Sequence, residues 1–152
     1  MKDKLKIAIA SDHGGFALKE ELKEYLIEMG VDFEDLGIGS PDPVDYPEVA
    51  WTVAKKVADG EFHRAILVCG TGIGMCIVAN KVKGIRAALC HDVFSAKMAT
   101  EHNNANVLAL GGRVIGVELA KMIVATWLES QFAGGRHGRL VNRISELEES
   151  VD

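Results

Sequence analysis

Short apolar runs alternate along the chain with longer segments in which apolar residues recur every three or four positions. An apolar run of four to eight residues is typical of a buried strand, and the longer spacing is typical of an amphipathic helix. The pattern predicts five strands, at residues 5–10, 31–36, 65–69, 86–90 and 107–110. It predicts six helices, at residues 15–29, 48–59, 73–82, 93–102, 116–130 and 140–149.

This alternation predicts the fold class. Strands separated by helices form a parallel sheet with right-handed crossovers and helices on both faces. We therefore expect an α/β protein, a three-layer αβα Rossmann-like sandwich with a five-stranded parallel sheet. The length of 152 residues suits a single domain, residues 1–152, with a C-terminal helical tail from about residue 138.

Residues 37–47 form the longest predicted loop. Pro41, Pro43 and Pro47 exclude regular structure in this interpretation. Long loops in compact domains are often functional, so this segment is a candidate part of a ligand site.

Composition narrows the class of protein. A net charge of −5 argues against nonspecific nucleic-acid binding. The N-terminus does not resemble a signal peptide, and no apolar run is long enough to span a membrane. The three cysteines form no CxxC pair, which indicates a reduced compartment. We expect a cytoplasmic protein that binds neither nucleic acid nor membrane.

The segment AILVCGTGIG, residues 65–74, is the strongest sign of chemistry. It places Cys69 at the end of a predicted buried strand, directly before a glycine-rich turn and a helix. The carboxyl edge of such a sheet is where open α/β folds bind ligands, and a helix N-terminus stabilises both anions and a thiolate. The alternative is that Cys69 is a small core residue, and core packing is the interpretation favoured for Cys76 and Cys90.

Other polar residues also follow strand ends. Asp12 and His13 come after the first strand, where they bind a ligand or, alternatively, cap a helix. Thr71 either contacts a substrate or only turns the chain. GTGIG lacks the dinucleotide and P-loop spacings, so it favours an oxyanion pocket over a nucleotide site.

The sequence leaves both a structural and a substrate-binding role open for several of the remaining histidines and arginines. His102 and Asn103 end a helix, where they act as caps or contact a substrate. His63 is interpreted as a surface residue, and the role of His91 is left open. No group of His, Asp and Glu has metal-site spacing, and we predict no metal and no cofactor. A basic run near the C-terminus either lies in solvent or binds phosphate; it contains Arg136, His137, Arg139 and Arg143.

Five segments of the chain resemble one family closely. They are IASDHGGFALKEEL, DYP, CGTGIGMCIVANKVKGIRAALC, EHNNANVLALGGRVIG and AGGRH. Their order and spacing are similar to those of the ribose-5-phosphate isomerase B family of sugar-phosphate isomerases (RpiB/LacA/LacB). The resemblance runs from about residue 6 to residue 141.

The resemblance implies an aldose-ketose isomerase that interconverts ribose 5-phosphate and ribulose 5-phosphate through a cis-enediolate. It implies that Cys69 is the catalytic base and that His102 assists ring opening. The implied substrate-binding residues are Asp12, His13, Tyr46, Asn103, Arg113 and Arg136, together with the oxyanion-hole amides of Gly70, Thr71, Gly72, Ile73 and Gly74.

One position departs from the family pattern. Many members carry a second phosphate-binding arginine four residues after the first, and Leu140 stands there. Arg139 or Arg143 is expected to replace it, with Arg139 nearer in sequence. The change keeps open the alternative that the protein is an isomerase of a six-carbon sugar phosphate, such as allose or galactose 6-phosphate.

A noncatalytic phosphosugar-binding module and a thiol redox protein are further alternatives. The resemblance also implies a homodimer, or a tetramer, with sites that draw on both subunits.

Overall fold

A computed structural model describes residues 4–37 and 45–151 of the chain. Its five strands are β1 (Lys6–Ser11), β2 (Asp32–Gly37), β3 (Arg64–Cys69), β4 (Ala87–Leu89) and β5 (Val107–Gly111). Its six α-helices are α1 (Phe16–Glu28), α2 (Tyr46–Ala58), α3 (Ile73–Asn80), α4 (Val93–Glu101), α5 (Val117–Glu129) and α6 (Gly135–Glu149). A short 3₁₀ turn, His13–Gly15, precedes α1.

The strands form one parallel sheet in the order β2-β1-β3-β5-β4. Alternate residues of β1 enter two separate cores, because successive side chains of a strand point to opposite faces. Ile7 and Ile9 pack with α1, α4 and α5, whereas Ala8 and Ala10 pack with α2 and α3. The predicted three-layer α/β sandwich is confirmed.

The strand order reverses between β1 and β3. The chain leaves β1 toward β2 on one side and returns to β3 on the other. In open α/β sheets, ligands bind beyond the carboxyl ends of the two strands that flank this reversal. Those ends are Ser11 and Cys69, so the topology places Cys69 at the expected ligand crevice.

Two predicted helix starts are wrong. The structure begins α2 at Tyr46 and α6 at Gly135, where we expected residues 48 and 140. Pro47 occupies the first turn of α2, a position that needs no N–H partner and therefore tolerates proline. Gly134 directly precedes α6 and Gly135 begins it, with positive φ angles of 69° and 53°. The part of the predicted long loop at residues 38–44 lies outside the described residues.

The outer edge of β4 is covered by a side chain. Asn80, the last residue of α3, accepts a hydrogen bond from the Ala87 N–H at 2.8 Å and donates one to the Ala87 carbonyl at 3.0 Å. The amide thus satisfies both main-chain groups that Ala87 would otherwise present to a further strand.

A buried ion pair joins α1 to the end of β2. Lys19 is fully buried, and its Nζ donates to both carboxylate oxygens of Asp35 at 3.0 and 2.9 Å and to the Gly37 carbonyl at 2.9 Å. Lys23 also donates to Asp35. Burial alone would raise the pKa of Asp35, but the hydrogen bonds from the two lysines outweigh it and lower that pKa below its ordinary value.

We predict that Asp35→Asn lowers the free energy of unfolding by about 3 kcal/mol at pH 7, because it leaves a buried ammonium without its carboxylate. Since the folded pKa lies below the unfolded one, the carboxylate stabilises the fold above the unfolded pKa, and this contribution is lost as pH falls through the folded pKa. The free energies of unfolding of the two proteins in urea should therefore begin to converge below about pH 4 and approach each other further as pH falls through the folded pKa of Asp35. If the free energies of unfolding of wild type and Asp35→Asn differed by the same amount at pH 7 and at pH 3, this would contradict the stabilising role of the Asp35 carboxylate.

Candidate active site

Cys69 is the buried last residue of β3, with 5% of its surface exposed. The N–H of Gly72 points at its sulfur, with 3.1 Å between N and Sγ. An N–H directed at sulfur stabilises a thiolate. Gly72 adopts a left-handed backbone with φ of 81°, and a Cβ there would lie 2.6 Å from Leu89 and 2.9 Å from the Leu110 backbone. Only glycine allows this turn.

An open crevice of about 470 Å³ lies above the thiol. Its lining residues are Asp12, Tyr46, Cys69, Gly70, Thr71, Ile73, Gly74, Ile77 and Arg113. Eight of these nine are residues that we singled out from the sequence. Ile77 was missed, although its spacing of four from Ile73 on α3 is the signal that would have found it.

Asp12 caps the 3₁₀ turn and also lines the crevice. It is 7% exposed and lines the crevice, and its Oδ1 also accepts a hydrogen bond from the Gly15 N–H at 3.1 Å. Thr71 is similar, because it lines the crevice while its Oγ1 accepts from the Ile73 N–H at 3.2 Å. His13 is exposed in the 3₁₀ turn and is not among the lining residues.

The glycine-rich turn offers three N–H groups to a ligand. Gly72 and Ile73 already donate inside the turn, to Cys69 and Thr71. Within residues 4–37 and 45–151, the N–H groups of Gly70, Thr71 and Gly74 have no hydrogen-bond acceptor. The expected set of five amide donors is therefore reduced to Gly70, Thr71 and Gly74 in this conformation.

Arg113 is brought to the crevice by the turn after β5. The Gly112 N–H donates to the Cys69 carbonyl at 2.8 Å, and the Arg113 N–H donates to the Gly70 carbonyl at 3.0 Å. The guanidinium then lies beside Gly70, where a Cβ would be 3.4 Å from Nη1. A charged group suited to phosphate thus stands at the rim of the thiol site.

His102 lies at the other edge of the sheet. Helix α4 begins after the carboxyl end of β4 and runs back to the amino end of β5, and His102 follows its last residue. Its ring stacks on His137, with ring centres 4.0 Å apart and an interplanar angle of 8°. Within one chain, the structure therefore does not bring His102 to Cys69.

Other predicted substrate-binding residues lie near His102. The Ala133 N–H donates to the Glu101 carbonyl, which ties the segment before α6 to the end of α4. Asn103, Arg136 and Arg139 are exposed in this region. Partial burial, followed by the positive charges of His102 and Arg136, lowers the pKa of His137. We call His102, Asn103, Arg136, His137 and Arg139 the basic cluster.

The other two cysteines are not among the residues that line the crevice. Burial raises the pKa of Cys90 to about 11, and burial is also the main cause of the raised pKa of Cys76. Both thiols are therefore poor nucleophiles at neutral pH. Exposed His63 accepts a hydrogen bond from the Lys6 N–H, which agrees with a surface role. Among the described residues, no three His, Cys, Asp or Glu side chains converge as metal ligands, and no helix has the length and apolar character to cross a bilayer.

The geometry is that of a three-layer α/β protein with a thiol, a carboxylate and a guanidinium around a crevice at the strand reversal. Residues 7–144 match the model of the Ribose/Galactose Isomerase family, and the chain belongs to that family. The expected isomerase class and the resemblance to ribose-5-phosphate isomerase B are confirmed.

Individual relatives span nearly the full length of the chain. It is 50% identical over 144 residues to ribose-5-phosphate isomerase B of Escherichia coli, covering 95% of this chain and 97% of the relative. It is 50% identical over 148 residues to a D-erythrulose-4-phosphate isomerase of Pectobacterium atrosepticum, covering 95% of each. The structure of ribose-5-phosphate isomerase B from Clostridium thermocellum superposes with a TM-score of 0.93 at 50% identity, covering 95% of this chain and 98% of that one.

Tyr46 forms a wall of the crevice only because residue 74 has no side chain. A Cβ on Gly74 would lie 2.5 Å from Cε1, 2.7 Å from Cζ and 3.0 Å from Oη of Tyr46. The first residue of α2 and the first turn of α3 are therefore in direct contact above the thiol.

We predict that Gly74→Ala displaces the Tyr46 ring and lowers kcat/KM about tenfold, since overpacking of this kind costs roughly 1–3 kcal/mol. The measurement is a double-mutant cycle with Tyr46→Ala on the best sugar-phosphate substrate. In the Tyr46→Ala background the ring is absent, and Gly74→Ala should have little further effect. Equal losses in both backgrounds would show that the methyl group acts elsewhere.

Proposed function

We propose that this chain is an aldose-ketose isomerase that interconverts ribose 5-phosphate and ribulose 5-phosphate. The proposal rests chiefly on the Cys69 thiol, which faces a crevice that also contains Asp12, unpaired turn amides and Arg113. The names of its relatives, which are sugar-phosphate isomerases, support the same reaction class.

In the proposed mechanism, Cys69 acts as a thiolate base. It removes the proton from C2 of the open-chain aldose, which leaves a cis-enediolate. The hydroxyl proton on O2 passes to O1, and the protonated thiol then returns its proton to C1, which gives the ketose and restores the thiolate. Negative charge on the carbonyl oxygen is met by the N–H groups of Gly70, Thr71 and Gly74, and the loss of one such donor typically costs about 3 kcal/mol of barrier. The carboxylate of Asp12 accepts a hydrogen bond from a sugar hydroxyl.

We further propose that the active unit is a homodimer in which each site uses two chains. His102 is the proposed group for ring opening, and Asn103 and Arg136 the proposed substrate ligands, yet all three lie across the sheet from Cys69 in their own chain. A second copy supplies them if its basic cluster faces the crevice. Helix α6 favours such contact, because it leaves an apolar stripe exposed at helical spacing; its members are Leu140, Ile144 and Leu147.

Arg139 is the better candidate for the missing family arginine at position 140. It lies three residues after Arg136 on α6, so the two guanidinium groups share a face of that helix. Arg143 is paired with Glu146 at 3.0 Å. We therefore propose that Arg136 and Arg139 together hold the phosphate.

A six-carbon sugar phosphate is the alternative substrate, and Leu140 is the observation that favours it, because the arginine spacing differs from that of many family members. The name of the Pectobacterium relative gives a four-carbon sugar phosphate as its substrate, so substrates with four, five and six carbons are to be compared.

The test is turnover of a panel of four-, five- and six-carbon aldose phosphates by the purified protein, with kcat/KM for each. We expect the highest value for ribose 5-phosphate, and a higher value for a hexose phosphate would replace the substrate. Cys69→Ala should lower kcat about 10³-fold, as expected for removal of a general base. Cys76→Ala is the matched control thiol and should retain activity.

Full activity of a folded Cys69→Ala protein would overturn the mechanism, because it would place the base elsewhere. Deuterium in ketose formed in D₂O would support proton transfer, whereas its absence would favour a hydride shift unless the proton is returned without exchange with solvent. Binding of the sugar phosphates without turnover would instead support the noncatalytic module.

Mixing two inactive variants tests the shared site. Cys69→Ala and His102→Ala proteins are unfolded together, refolded at equal ratio and assayed. If each site uses Cys69 of one chain and His102 of the other, half of the dimers are mixed and each has one intact site, so activity returns to about one quarter of wild type. No recovery beyond the sum of the separate variants would contradict a shared site.

A further inference from the structure

His91 lies where β4 and β5 stop pairing through their main chains. The Cys90 N–H donates to the Ala109 carbonyl at 3.3 Å. Two residues further along β5, the Gly111 N–H donates to Nε2 of His91 at 3.2 Å. Residues two apart on a strand present their N–H groups to the same neighbour. The imidazole therefore stands where the next carbonyl of β4 would be, and it extends the ladder by one bond.

Gly111 connects His91 to the thiol loop. On its other side it is paired with Cys69, and the next two residues donate to the Cys69 and Gly70 carbonyls. A Cβ on Gly111 would lie 2.7 Å from the Thr71 carbonyl oxygen, so the two backbones touch. A shift of Gly111 would therefore displace both the loop after Cys69 and the turn that carries Arg113, and both of these line the crevice.

The backbone at His91 is itself fixed. The next residue, Asp92, caps α4, with its Oδ1 accepting from the Ser95 N–H at 2.6 Å and its Oδ2 from the Ser95 hydroxyl at 2.7 Å. The imidazole is half-buried and is not among the residues that line the crevice. The backbone at His91 is thus fixed by the Asp92 cap, and the imidazole accepts a hydrogen bond from one backbone N–H, that of Gly111.

We propose that His91 is a positioning residue for the isomerase reaction. By accepting the Gly111 N–H, it holds the turn at residues 111–113, and through that turn it fixes Cys69 and Arg113 relative to each other. The inference rests on the proposed function for its effect on turnover. The hydrogen bond itself is independent of that function.

The test compares His91→Phe with His91→Gln. Phenylalanine keeps a ring of similar size without an acceptor, whereas Oε1 of glutamine lies near the position of Nε2. Asn106→Ala is the matched control, because Asn106 bonds to the Arg86 N–H and the Gly84 carbonyl at the opposite end of the same strand pair. Thermal unfolding gives the stability cost of each change.

We expect His91→Phe to lower kcat/KM about tenfold, mainly through kcat, because a buried donor loses its acceptor and the thiol loop shifts. His91→Gln should stay within about threefold of wild type. Asn106→Ala should lose stability with no fall in kcat/KM. Losses as large in His91→Gln or Asn106→Ala as in His91→Phe would reduce His91 to a structural residue and overturn the proposal.

Amide hydrogen exchange at Gly111 separates this proposal from the proposed function. It should accelerate in His91→Phe and return toward the wild-type rate in His91→Gln, whether or not any sugar phosphate is turned over. Unchanged exchange in His91→Phe would overturn the proposed hydrogen bond, and absent wild-type turnover would overturn only the function. If His91→Phe does not fold, His91→Asn replaces it, since the shorter amide does not extend to Gly111.

Discussion

The position of the Cys69 thiol depends on the backbone conformation of Gly72. The chain leaves β3 and reverses within three residues, so that the Gly72 N–H faces the sulfur of the strand's own last residue. This reversal requires a positive φ, and the space for a side chain is already occupied by Leu89 and Leu110. The loop is therefore shaped by the completed sheet, since Leu89 and Leu110 belong to β4 and β5. The surroundings of the thiol are therefore set by main-chain geometry and packing more than by polar side chains.

The same topology divides the polar groups of the chain into two sets. Parallel strands bring Asp12, Cys69 and Arg113 to one edge of the sheet, and the helices that return between strands carry the basic cluster to the other. Each set has an incomplete chemistry of its own. The thiol edge has a thiol, a carboxylate and N–H donors but few cations, and the basic cluster has cations and imidazoles but no thiol or carboxylate among its members.

Much of the thiol edge could be predicted from the sequence. Buried parallel strands are continuous apolar runs, and the residue that ends such a run is fixed to within one position, so Asp12, Cys69 and Gly111 could be located. Helix starts were less certain because the first turn tolerates the proline and the glycines that usually mark breaks, as at Pro47 and Gly135.

Contacts between distant segments could not be read from periodicity. The sequence does not show that Nε2 of His91 faces Gly111, that Tyr46 rests on Gly74, or that Lys19 is buried against Asp35. Each depends on which strands become neighbours. The separation of His102 from Cys69, by contrast, follows from the predicted topology, because α4 runs back from the carboxyl ends of the strands to their amino ends. The sequence also does not show which N–H groups of the glycine-rich turn remain unpaired, since those of Gly72 and Ile73 donate to acceptors inside the turn.

Strand β4 ends the sheet, and an exposed strand edge is a template on which another chain can add by main-chain pairing. Here the side-chain amide of Asn80 imitates a peptide group and occupies the outward N–H and carbonyl of Ala87. With only three residues in β4, blocking the groups of its first residue leaves little free edge on which a foreign strand can bind in register. One asparagine at the end of α3 thus disfavours edge-to-edge pairing at this side of the sheet, while the open crevice at the carboxyl ends stays accessible to small molecules.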